Sequence, residues 1–361
     1  MEKYRVGIVG ATGMVGQRFI SLLKDHPWFE VNCVAASARS AGKTYREAVG
    51  ERWAFSWEIP EKVAGMTVVD AADIDEVSKH VDFVFCAVDM KKDEIRALEE
   101  AYAKHEIPVV SNNSACRGIE DVPMVVPEIN ADHLAVIEAQ KKRLGTKNGF
   151  IAVKPNCSIQ SYVPALTPLL DFEPEKVSVR TYQAISGAGK TFKTWPEMVD
   201  NVIPYIGGED EKSENEPLKL WGHVEDGKIV NAALPVISAQ CLRVACSDGH
   251  MAAVSVSFKK KPTIEQIKER WANYETEAQR LELPSAPKPF LQYFEDPSRP
   301  QTRLDRDFQN GFGVSIGRLR EDKLFDYRFV CLSHNTVRGA AGGGILTAEL
   351  LCRKGYIPHR V

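Results

Sequence analysis

Three glycines at a fixed spacing follow the first apolar segment of the chain and constrain its fold more than any other feature. Residues Tyr4–Val9 have the pattern of a short strand, Gly10, Gly13 and Gly16 come directly after it, and a helical pattern follows. Glycines at such a turn let the backbone approach a pyrophosphate, whose charge the helix N-terminus stabilises. The spacing is G-x-x-G-x-x-G, not the commoner G-x-G-x-x-G. It predicts a dinucleotide site, and a glycine-rich turn that only connects a strand to a helix is the alternative.

The first half of the chain alternates strand and helix patterns. Val31 to Ala36 reads as a second strand, Val81 to Val88 is almost continuously apolar, and Ile107 to Val110 is another apolar segment of this kind. Strands buried on both faces have this composition, and strands that alternate with helices form parallel sheets. We therefore predict an α/β fold whose first domain, residues 1–155, is a Rossmann-type doubly wound parallel sheet.

The second half has a different pattern. Ala253 to Phe258 alternates apolar and polar residues, which is typical of a strand with one face in the core. Ile264 to Leu281 carries apolar residues along one face and predicts an amphipathic helix. Further strands are predicted at Val177–Tyr182, Phe312–Leu319 and Leu324–Leu332. Residues 156–335 are therefore predicted to be an α+β domain with a mainly antiparallel sheet.

Two further segments carry predictions of their own. The acidic stretch from Gly207 to Pro217 begins with two glycines, so we predict an exposed loop. Whether that loop closes over a substrate is left open. The last apolar helical pattern, Ile345 to Arg353, lies within residues 336–361 and is expected to pack back on the first domain.

Composition excludes several classes of protein. The 361 residues suffice for two domains, and a net charge of -3 gives no reason to expect nucleic acid or an anionic membrane as partner. No apolar run approaches the ~20 residues of a membrane span, and the first residues lack a signal-peptide pattern. The eight cysteines form no C-x-x-C pair and no zinc-ligand spacing with histidine. We expect reduced thiols, no metal and a cytoplasmic enzyme.

The end of the second predicted strand bears on the choice between the two nicotinamide cofactors. NAD sites usually place an acidic residue there, which binds the ribose 2′-hydroxyl. Here Ser37, Arg39 and Ser40 follow the strand, and the first acidic residue is Glu47. Because a guanidinium binds phosphate through two parallel hydrogen bonds, this segment favours NADP. A solvated surface arginine is the alternative.

One cysteine has the position of a nucleophile. Cys157 follows an apolar strand pattern and precedes a predicted helix that starts at Ser158. A helix N-terminus stabilises a thiolate, and its amides can bind a developing oxyanion. Cys116, in a polar loop, remains a competitor.

The base that serves such a nucleophile is expected to be a histidine. His250 stands out, because it comes directly before the predicted strand Ala253–Phe258 and follows Arg243 by seven residues. A structural histidine is the alternative interpretation of His250.

Taken together, these segments resemble the aspartate-semialdehyde dehydrogenase family over essentially the whole chain. The combination of Pro155-to-Ser158 (PNCS) with Arg243 and His250 is specific, whereas the glycine turn is not. The C-terminal segment from His334 to Gly344 suggests the branch shared by archaeal, fungal and some bacterial members. The other segments that carry the resemblance are residues 10–17, 37–43, 112–117, 127–130, 181–190, the pair Glu216 and Lys219, and residues 241–250.

The resemblance implies a reaction and its catalytic residues. Cys157 attacks the β-acyl phosphate of aspartate, phosphate leaves, and hydride from NADPH reduces the resulting thioester to the semialdehyde. His250 is the general acid and base, and Gln183 helps to position the substrate. The product would enter lysine, diaminopimelate, threonine and methionine biosynthesis. The resemblance also implies a homodimer or homotetramer built through the second domain.

The resemblance further implies binding residues. Arg243 would pair with the substrate α-carboxylate and Glu216 with the α-ammonium, while Arg117 and Lys219 would bind phosphate and Asn113 would shape the phosphate loop. The cofactor would lie along residues from both halves of the chain, namely Gly10, Thr12, Gly13, Met14, Val15, Ser37, Arg39, Ser40, Ser186, Gly187, Gly189, Asn335 and Thr336.

Other functions compete with this one. N-acetyl-glutamyl-phosphate reductase and archaeal malonyl-CoA reductase share much of the same plan, although the first needs no partner for a free amine. A non-catalytic NADP-binding module with a redox-sensing cysteine has no need for Arg243, Glu216 and His250 together. A thiol hydrolase has no need for the glycine turn.

Overall fold

The computed structural model describes residues 2–359, and its first sheet is built on the predicted plan. Six strands lie in the order β3-β2-β1-β4-β5-β6, and each neighbouring pair is parallel. This order places the glycine turn and the loops after β4, β5 and β6 at one edge of the sheet, which confirms the doubly wound prediction. The strands are β1 (Tyr4–Val9), β2 (Phe29–Ala36), β3 (Val69–Asp70), β4 (Phe83–Cys86), β5 (Val109–Ser111) and β6 (Ile151–Val153).

Helices connect these strands. The longest, α5, has Asp93 and Glu94 in its first turn and Lys104 in its last, charges that suit the helix dipole. The helices are α1 (Met14–Leu23), α2 (Tyr45–Val49), α3 (Glu61–Ala64), α4 (Ile74–Ser78), α5 (Lys92–Lys104) and α6 (Ile137–Leu144).

A second sheet of seven strands is mainly antiparallel, as predicted. Its order is β13-β14-β15-β12-β7-β11-β8, and the pairs β13–β14 and β7–β11 are parallel, whereas the other four are antiparallel. A short hairpin, β9–β10, lies apart from both sheets. The strands are β7 (Pro174–Gln183), β8 (Val202–Ile203), β9 (His223–Glu225), β10 (Lys228–Val230), β11 (Val236–Val244), β12 (His250–Phe258), β13 (Leu291–Phe294), β14 (Val314–Glu321) and β15 (Tyr327–Ser333).

The remaining helices are α7 (Ile159–Leu166), α8 (Glu209–Leu220), α9 (Ile264–Ala272), α10 (Glu277–Arg280), α11 (Thr302–Asp305) and α12 (Gly342–Arg353). The first sheet ends at Val153 and the second begins at Pro174, so the change of sheet falls near the predicted division. The domain limits 1–155 and 156–335 stay predictions. No helix in residues 2–359 has the length and apolar character that crossing a bilayer requires.

The prediction of an exposed loop at 207–217 was wrong. Most of this stretch is helix α8, whose N-terminus follows Gly208 in a left-handed conformation with φ of 70°. Its three consecutive acidic residues occupy the first turn, where the helix dipole favours negative charge. Several α8 side chains, including Glu209 and Ser213, are buried, so acidic composition here indicates a helix start and not solvent exposure.

The single helix predicted over Ile264–Leu281 is also divided. Helix α9 ends at Ala272, and Thr276 caps the separate α10 by accepting a hydrogen bond from the Gln279 amide. Ile267, Trp271 and Ala278 are nevertheless buried. The apolar face was identified correctly, while the break between the two helices was missed.

The C-terminal helix packs on the first sheet. A π-helical turn, Val337–Ala341, leads into α12, and Ile345 and Leu346 share a buried cluster with Val6 and Phe19. The packing is tight, because a Cβ on Gly344 would lie 2.9 Å from Phe19 Cζ.

Candidate active site

Cys157 and His250 come together where the two sheets meet. Cys157 follows β6 and precedes α7, and His250 is the first residue of β12. The Cys157 Sγ atom lies 3.4 Å from His250 Nε2. On its other side, the His250 ring accepts a hydrogen bond at Nδ1 from the Ala184 amide, over 3.0 Å. The neutral ring therefore carries its proton on Nε2, facing the sulfur.

Burial governs the ionisation of both residues. It lowers the pKa of His250 well below the ordinary value, and the positive charge of Arg243 acts in the same direction. Burial also raises the pKa of the Cys157 thiol, and Glu209 adds to that effect, whereas Lys154 and Arg117 oppose it. The pair is thus neutral in the free protein, with an imidazole N–H next to the thiol.

A cavity of about 420 Å³ opens at Cys157. Its walls come from both sheets, which is where a doubly wound fold places its ligands. The lining includes Val15, Asn112, Asn113, Arg117, Lys154, Cys157, Gln183, Ser186, Gly187, Glu209, Lys212, Arg243, Asn335 and Thr336.

Gln183 shares one wall of the cavity with a carboxylate. Glu209 accepts hydrogen bonds from Asn156 Nδ2 at 2.9 and 3.0 Å and from Gln183 Nε2 at 3.3 Å. It also forms an ion pair with Lys212 at 2.8 Å. Burial tends to raise the pKa of Glu209, but Lys212 and these amides lower it below its ordinary value. A fixed negative charge therefore stands close to the nucleophile.

Arg243 extends from β11 into the same cavity. Its Nη1 donates to the Ala184 carbonyl at 2.7 Å, and no carboxylate of residues 2–359 forms an ion pair with it. Gly187 makes room for this arrangement, because a Cβ there would lie 2.8 Å from Arg243 Nη1 and 3.0 Å from His250 Nε2. The guanidinium is available to an anionic ligand.

The predicted Glu216 and Arg117 pair with each other. Arg117 Nη1 lies 2.9 Å from Glu216 Oε1, and Glu216 Oε2 accepts from the Asn156 amide at 2.5 Å. Arg117 lines the cavity, whereas Glu216 is not part of the lining. Glu216 thus holds the residue that precedes the nucleophile and neutralises Arg117.

The structure does not bring Lys219 to the cavity. Its ammonium donates to the backbone carbonyls of Arg117, Ile119 and Val122 at 2.7, 2.7 and 3.1 Å, which uses all three of its N–H groups. Burial lowers the pKa of Lys219 to about 8. The side chain supports the loop that carries Arg117.

Asn113 lines the cavity but directs its amide elsewhere. Its Nδ2 donates to the buried Glu99 at 3.0 Å. The neighbouring Asn112 differs, because both polar atoms of its side chain are buried without a hydrogen-bond partner in the part of the chain that is described. Such atoms are expected to meet a ligand or water.

The glycine turn fits a dinucleotide pyrophosphate. Gly10 has φ of +91°, and a Cβ there would lie 2.3 Å from the Ala87 carbonyl oxygen. A Cβ on Gly16 would lie 2.3 Å from the Gly10 oxygen, so both positions require glycine. Gly13 directly precedes α1, and no side chain caps that helix. Its N-terminal amides are thus available to an anion.

Other predicted cofactor residues divide into two groups. Val15, Ser186, Gly187, Asn335 and Thr336 line the cavity of Cys157, where a reactive ring would lie. The rest lie outside that lining, at the glycine turn, beyond β2 and after Gly187, namely Gly10, Thr12, Gly13, Met14, Ser37, Arg39, Ser40 and Gly189.

Two details concern individual members of these groups. Asn335 joins two loops by donating to Ser186 Oγ at 2.9 Å and accepting from the Gly249 amide at 2.8 Å. Arg39 is exposed in a turn closed by the Ser40 amide on the Ser37 carbonyl at 2.8 Å.

Several polar residues of the cavity wall were not predicted, among them Glu209, Lys212, Lys154 and Asn112. Glu209 and Lys212 have the same E-x-x-K spacing as the predicted Glu216 and Lys219, so the repeated motif was a signal within reach of the sequence. The position of Lys154, three residues before Cys157, was a second signal within reach of the sequence. For Asn112, adjacent to Asn113, nothing in the sequence decides which amide faces the cavity.

Cys116, the alternative candidate for the nucleophile, is buried. Cys116 has no exposed surface, and burial raises its pKa well above the ordinary range. Within residues 2–359 no group of three or more histidine, cysteine, aspartate or glutamate side chains is arranged to hold a metal ion.

The fold and the glycine turn define a class of protein, the nicotinamide-dependent dehydrogenases. Comparison with known families agrees with this class. The profile described as "Semialdehyde dehydrogenase, NAD binding domain" matches residues 5–137, and "Semialdehyde dehydrogenase, dimerisation domain" matches residues 166–338.

Individual relatives narrow the class. The aspartate-semialdehyde dehydrogenase of Schizosaccharomyces pombe is 45% identical over 360 residues, covering 98% of this chain and 99% of its own. That of Archaeoglobus fulgidus is 43% identical over 357 residues, covering 98% and 100%. The chain belongs to the aspartate-semialdehyde dehydrogenase family, and its relatives include the archaeal and fungal members that the sequence predicted.

A solved structure extends the likeness to three dimensions. The crystal structure of aspartate semialdehyde dehydrogenase with NADP from Candida albicans is 39% identical to this chain, with a TM-score of 0.89. The match covers 99% of this chain and 100% of that one.

Proposed function

We propose that this chain catalyses the NADPH-dependent reductive dephosphorylation of L-aspartyl-4-phosphate to L-aspartate-4-semialdehyde, and the reverse reaction, in the biosynthesis of lysine, diaminopimelate, threonine and methionine. The relatives that match nearly its whole length carry this activity in their names. The observation that carries the proposal is the contact of 3.4 Å between Cys157 Sγ and His250 Nε2 at the wall of a charged cavity.

Cys157 is the nucleophile. Its thiol attacks the carbonyl carbon of the acyl phosphate, the C–O bond to phosphate breaks, the thiol proton leaves with the phosphate, and a thioester remains on the sulfur. Its position next to the N-terminus of α7 places backbone amides near the developing oxyanion. When bound, NADPH supplies a hydride to the thioester carbon.

His250 holds an N–H group at the reacting atoms. Because Nδ1 accepts the Ala184 amide, Nε2–H is the group that faces the reacting sulfur. It donates a hydrogen bond to the oxygen that becomes negative after reduction. The C–S bond then breaks, the aldehyde leaves, and the thiolate takes up a proton from solvent to restore the thiol. Gln183, held by Glu209, lies where its amide positions the thioester.

The charged groups of the substrate meet opposite charges in the cavity. Arg243 binds the α-carboxylate, since its guanidinium is available and planar. Glu209 binds the α-ammonium, a role predicted for Glu216, because Glu209 lines the cavity and Glu216 is engaged by Arg117. Arg117 contacts the phosphate from the opposite wall, and Lys219 supports its loop.

The cofactor is NADP. Gly13 and the N-terminus of α1 would hold the pyrophosphate, and Arg39 with Ser37 and Ser40 would bind the 2′-phosphate. Asn335, between Ser186 and Gly249, would hold the nicotinamide carboxamide.

The protein functions as a homodimer or homotetramer in the cytoplasm. The second half matches a profile whose description names dimerisation. On and next to the edge strands of the second sheet, several large apolar side chains are exposed, and Val236 and Val202 are 63% and 54% exposed. Light scattering on the purified protein measures the state directly, and a monomer at micromolar concentration contradicts this part of the proposal.

The test of the activity is phosphate-dependent reduction of NADP by L-aspartate-4-semialdehyde. We expect turnover that requires phosphate, is lost in Cys157→Ala and persists in Cys116→Ala, the matched buried cysteine. No turnover by folded protein that binds NADP sinks the proposal. Malonyl-CoA and N-acetyl-glutamate semialdehyde are then the substrates to try.

A further inference from the structure

A lysine that no predicted role includes stands beside the nucleophile. Lys154 follows β6, is 3% exposed and lines the cavity with Cys157. Its ammonium donates to the carbonyl of Pro155, and no carboxylate of residues 2–359 forms an ion pair with it. A buried ammonium without an anion is costly, so the position favours binding of an anionic group.

The other cations of the cavity have partners or other positions. Arg117 is paired with Glu216, and Lys212 with Glu209. Arg243 lies on the second sheet, and Lys92 is exposed at the rim. Among the described residues of this cavity, Lys154 is therefore the buried cation on the first sheet's side that has no carboxylate to neutralise it.

Two residues with unused hydrogen-bond donors line the same cavity as Lys154. Its backbone amide donates to the Ser111 carbonyl at 3.0 Å, which places it alongside the loop that carries Asn112. The Asn112 Nδ2 and the Arg117 Nε are both buried without a partner within residues 2–359. Phosphate oxygens accept several hydrogen bonds and prefer charged donors. Lys154, Asn112 and Arg117 thus provide three donor groups on one side of the cavity.

We propose that Lys154 is the principal cation of the phosphate subsite. Together with Asn112 and Arg117, it binds the phosphate group of the acyl phosphate, and inorganic phosphate when the reaction runs in reverse. This inference rests on the proposed function and assigns to Lys154 the part that the family resemblance implied for Lys219.

The charge on Lys154 makes phosphate binding depend on pH. Burial lowers the pKa of Lys154 to about 7, and Arg117 acts in the same direction, while Cys157, Glu216 and Glu209 oppose it. The ammonium is present below pH 7 and is lost as pH rises through that value. In the wild type, the phosphate KM therefore increases above pH 7, and an arginine at 154 removes this titration because guanidinium keeps its charge.

The experiment measures the phosphate KM in the oxidative direction for the wild type, Lys154→Met, Lys154→Arg and the rim control Lys92→Met. We expect Lys154→Met to raise the phosphate KM about tenfold or more, with the KM for semialdehyde and NADP unchanged. Lys154→Arg is expected to keep phosphate binding. Because the arginine stays charged, the part of the rise in phosphate KM above pH 7 that comes from residue 154 is expected to disappear. Lys92→Met is expected to change it less than twofold.

A second readout does not need turnover. Phosphate at the subsite slows alkylation of Cys157 by iodoacetamide in NADP-saturated protein, and Lys154→Met removes that protection. If the wild type shows no turnover yet phosphate protects Cys157 through Lys154, the proposed function fails and the subsite stands. An unchanged phosphate KM and unchanged protection in Lys154→Met overturn the subsite. The subsite is also overturned if the only change in Lys154→Met is the pH midpoint of alkylation, because Lys154 would then act on the Cys157 thiol and not on phosphate.

Discussion

The Nδ1 atom of His250 accepts a hydrogen bond from the backbone amide of Ala184 over 3.0 Å. An imidazolium carries a proton on both nitrogens, so charging the ring would oppose two N–H groups across this contact. Burial and Arg243 already lower the pKa of His250 well below its usual value. The backbone thus selects a neutral imidazole whose proton faces Cys157.

The pH dependence of turnover tests this arrangement. Because the pKa of His250 lies well below the ordinary value, the neutral form persists as pH falls from 8 to 6, and we expect no loss of kcat/KM from this group there. Replacing the ring in His250→Asn is expected to lower kcat by about 10²–10⁴-fold with NADP binding retained. An acid limb near pH 6.5 that disappears in His250→Asn contradicts the tautomer assignment.

The carboxylate of Glu209 affects both the thiol and the substrate. It is the second contribution, after burial, that raises the pKa of Cys157. In Glu209→Gln the thiolate loses a nearby negative charge, so the pH midpoint of alkylation by iodoacetamide shifts to lower pH. The same change removes the partner of the substrate ammonium, so the KM for semialdehyde rises.

The control for this prediction lies on the same helix. Glu211 is exposed and does not line the cavity, so Glu211→Gln is expected to leave the alkylation midpoint and the KM unchanged. A higher midpoint in Glu209→Gln, or equal effects in both variants, shows that the charge of Glu209 does not act on Cys157.

A substitution at Gly13 tests whether the glycine is needed for cofactor binding or for folding. A Cβ at this position would have only the Gly10 oxygen near it, at 3.5 Å. Gly13→Ala is therefore expected to keep the unfolding temperature of the wild type. It is expected to bind NADP at least about tenfold more weakly, because the added methyl group would occupy the space that the pyrophosphate approaches. Calorimetry of NADP binding and thermal unfolding measure the two effects. Gly118→Ala, with open space around its Cβ, serves as the control.

Arg39 is expected to decide between the two cofactors. A hydrogen bond to a charged group contributes about 1.5–3 kcal/mol, so losing the contact with the 2′-phosphate costs about ten- to hundredfold in affinity. Arg39→Ala should raise the KM for NADP by this factor and leave the KM for NAD unchanged. Arg46→Ala, an exposed arginine paired with Glu61, is the matched control. A proportional rise for both cofactors shows that Arg39 does not read the 2′-phosphate.

Local patterns in the sequence carried much of the fold. The strand at Tyr4–Val9 has its predicted bounds, and the alternation at Ala253–Phe258 lies within β12. Their signals are periodicity and glycine spacing within a few residues, and that information is local. Helix α8 was missed for a local reason, because an acidic run was read as exposed when it forms a helix start.

The pairing of side chains in the site was not predictable in the same way. Glu216 and Glu209 share a helix and a spacing motif, and only the fold decides that one meets Arg117 and the other faces the cavity. The partners of Glu216 are 60 and 99 residues away along the chain. Spacing identifies which residues are chemically suited to a site, whereas their distances depend on how the two sheets meet.

A buried ion pair between residues still farther apart in the sequence lies next to the backbone that contacts Cys157. Arg338 donates to both oxygens of Glu128, 210 residues away, at 2.7 and 2.9 Å, and both side chains are buried. The next residue, Gly339, contacts Cys157 so closely that a Cβ would lie 2.8 Å from the Cys157 Cβ. Because removing one partner leaves a buried charge unpaired, Arg338→Met is expected to cost about 3–5 kcal/mol of unfolding free energy. Urea unfolding measures this cost, and adding Glu128→Leu is expected to restore part of it. If the double variant loses the sum of the unfolding free energies lost in the two single variants, Arg338 and Glu128 are not coupled.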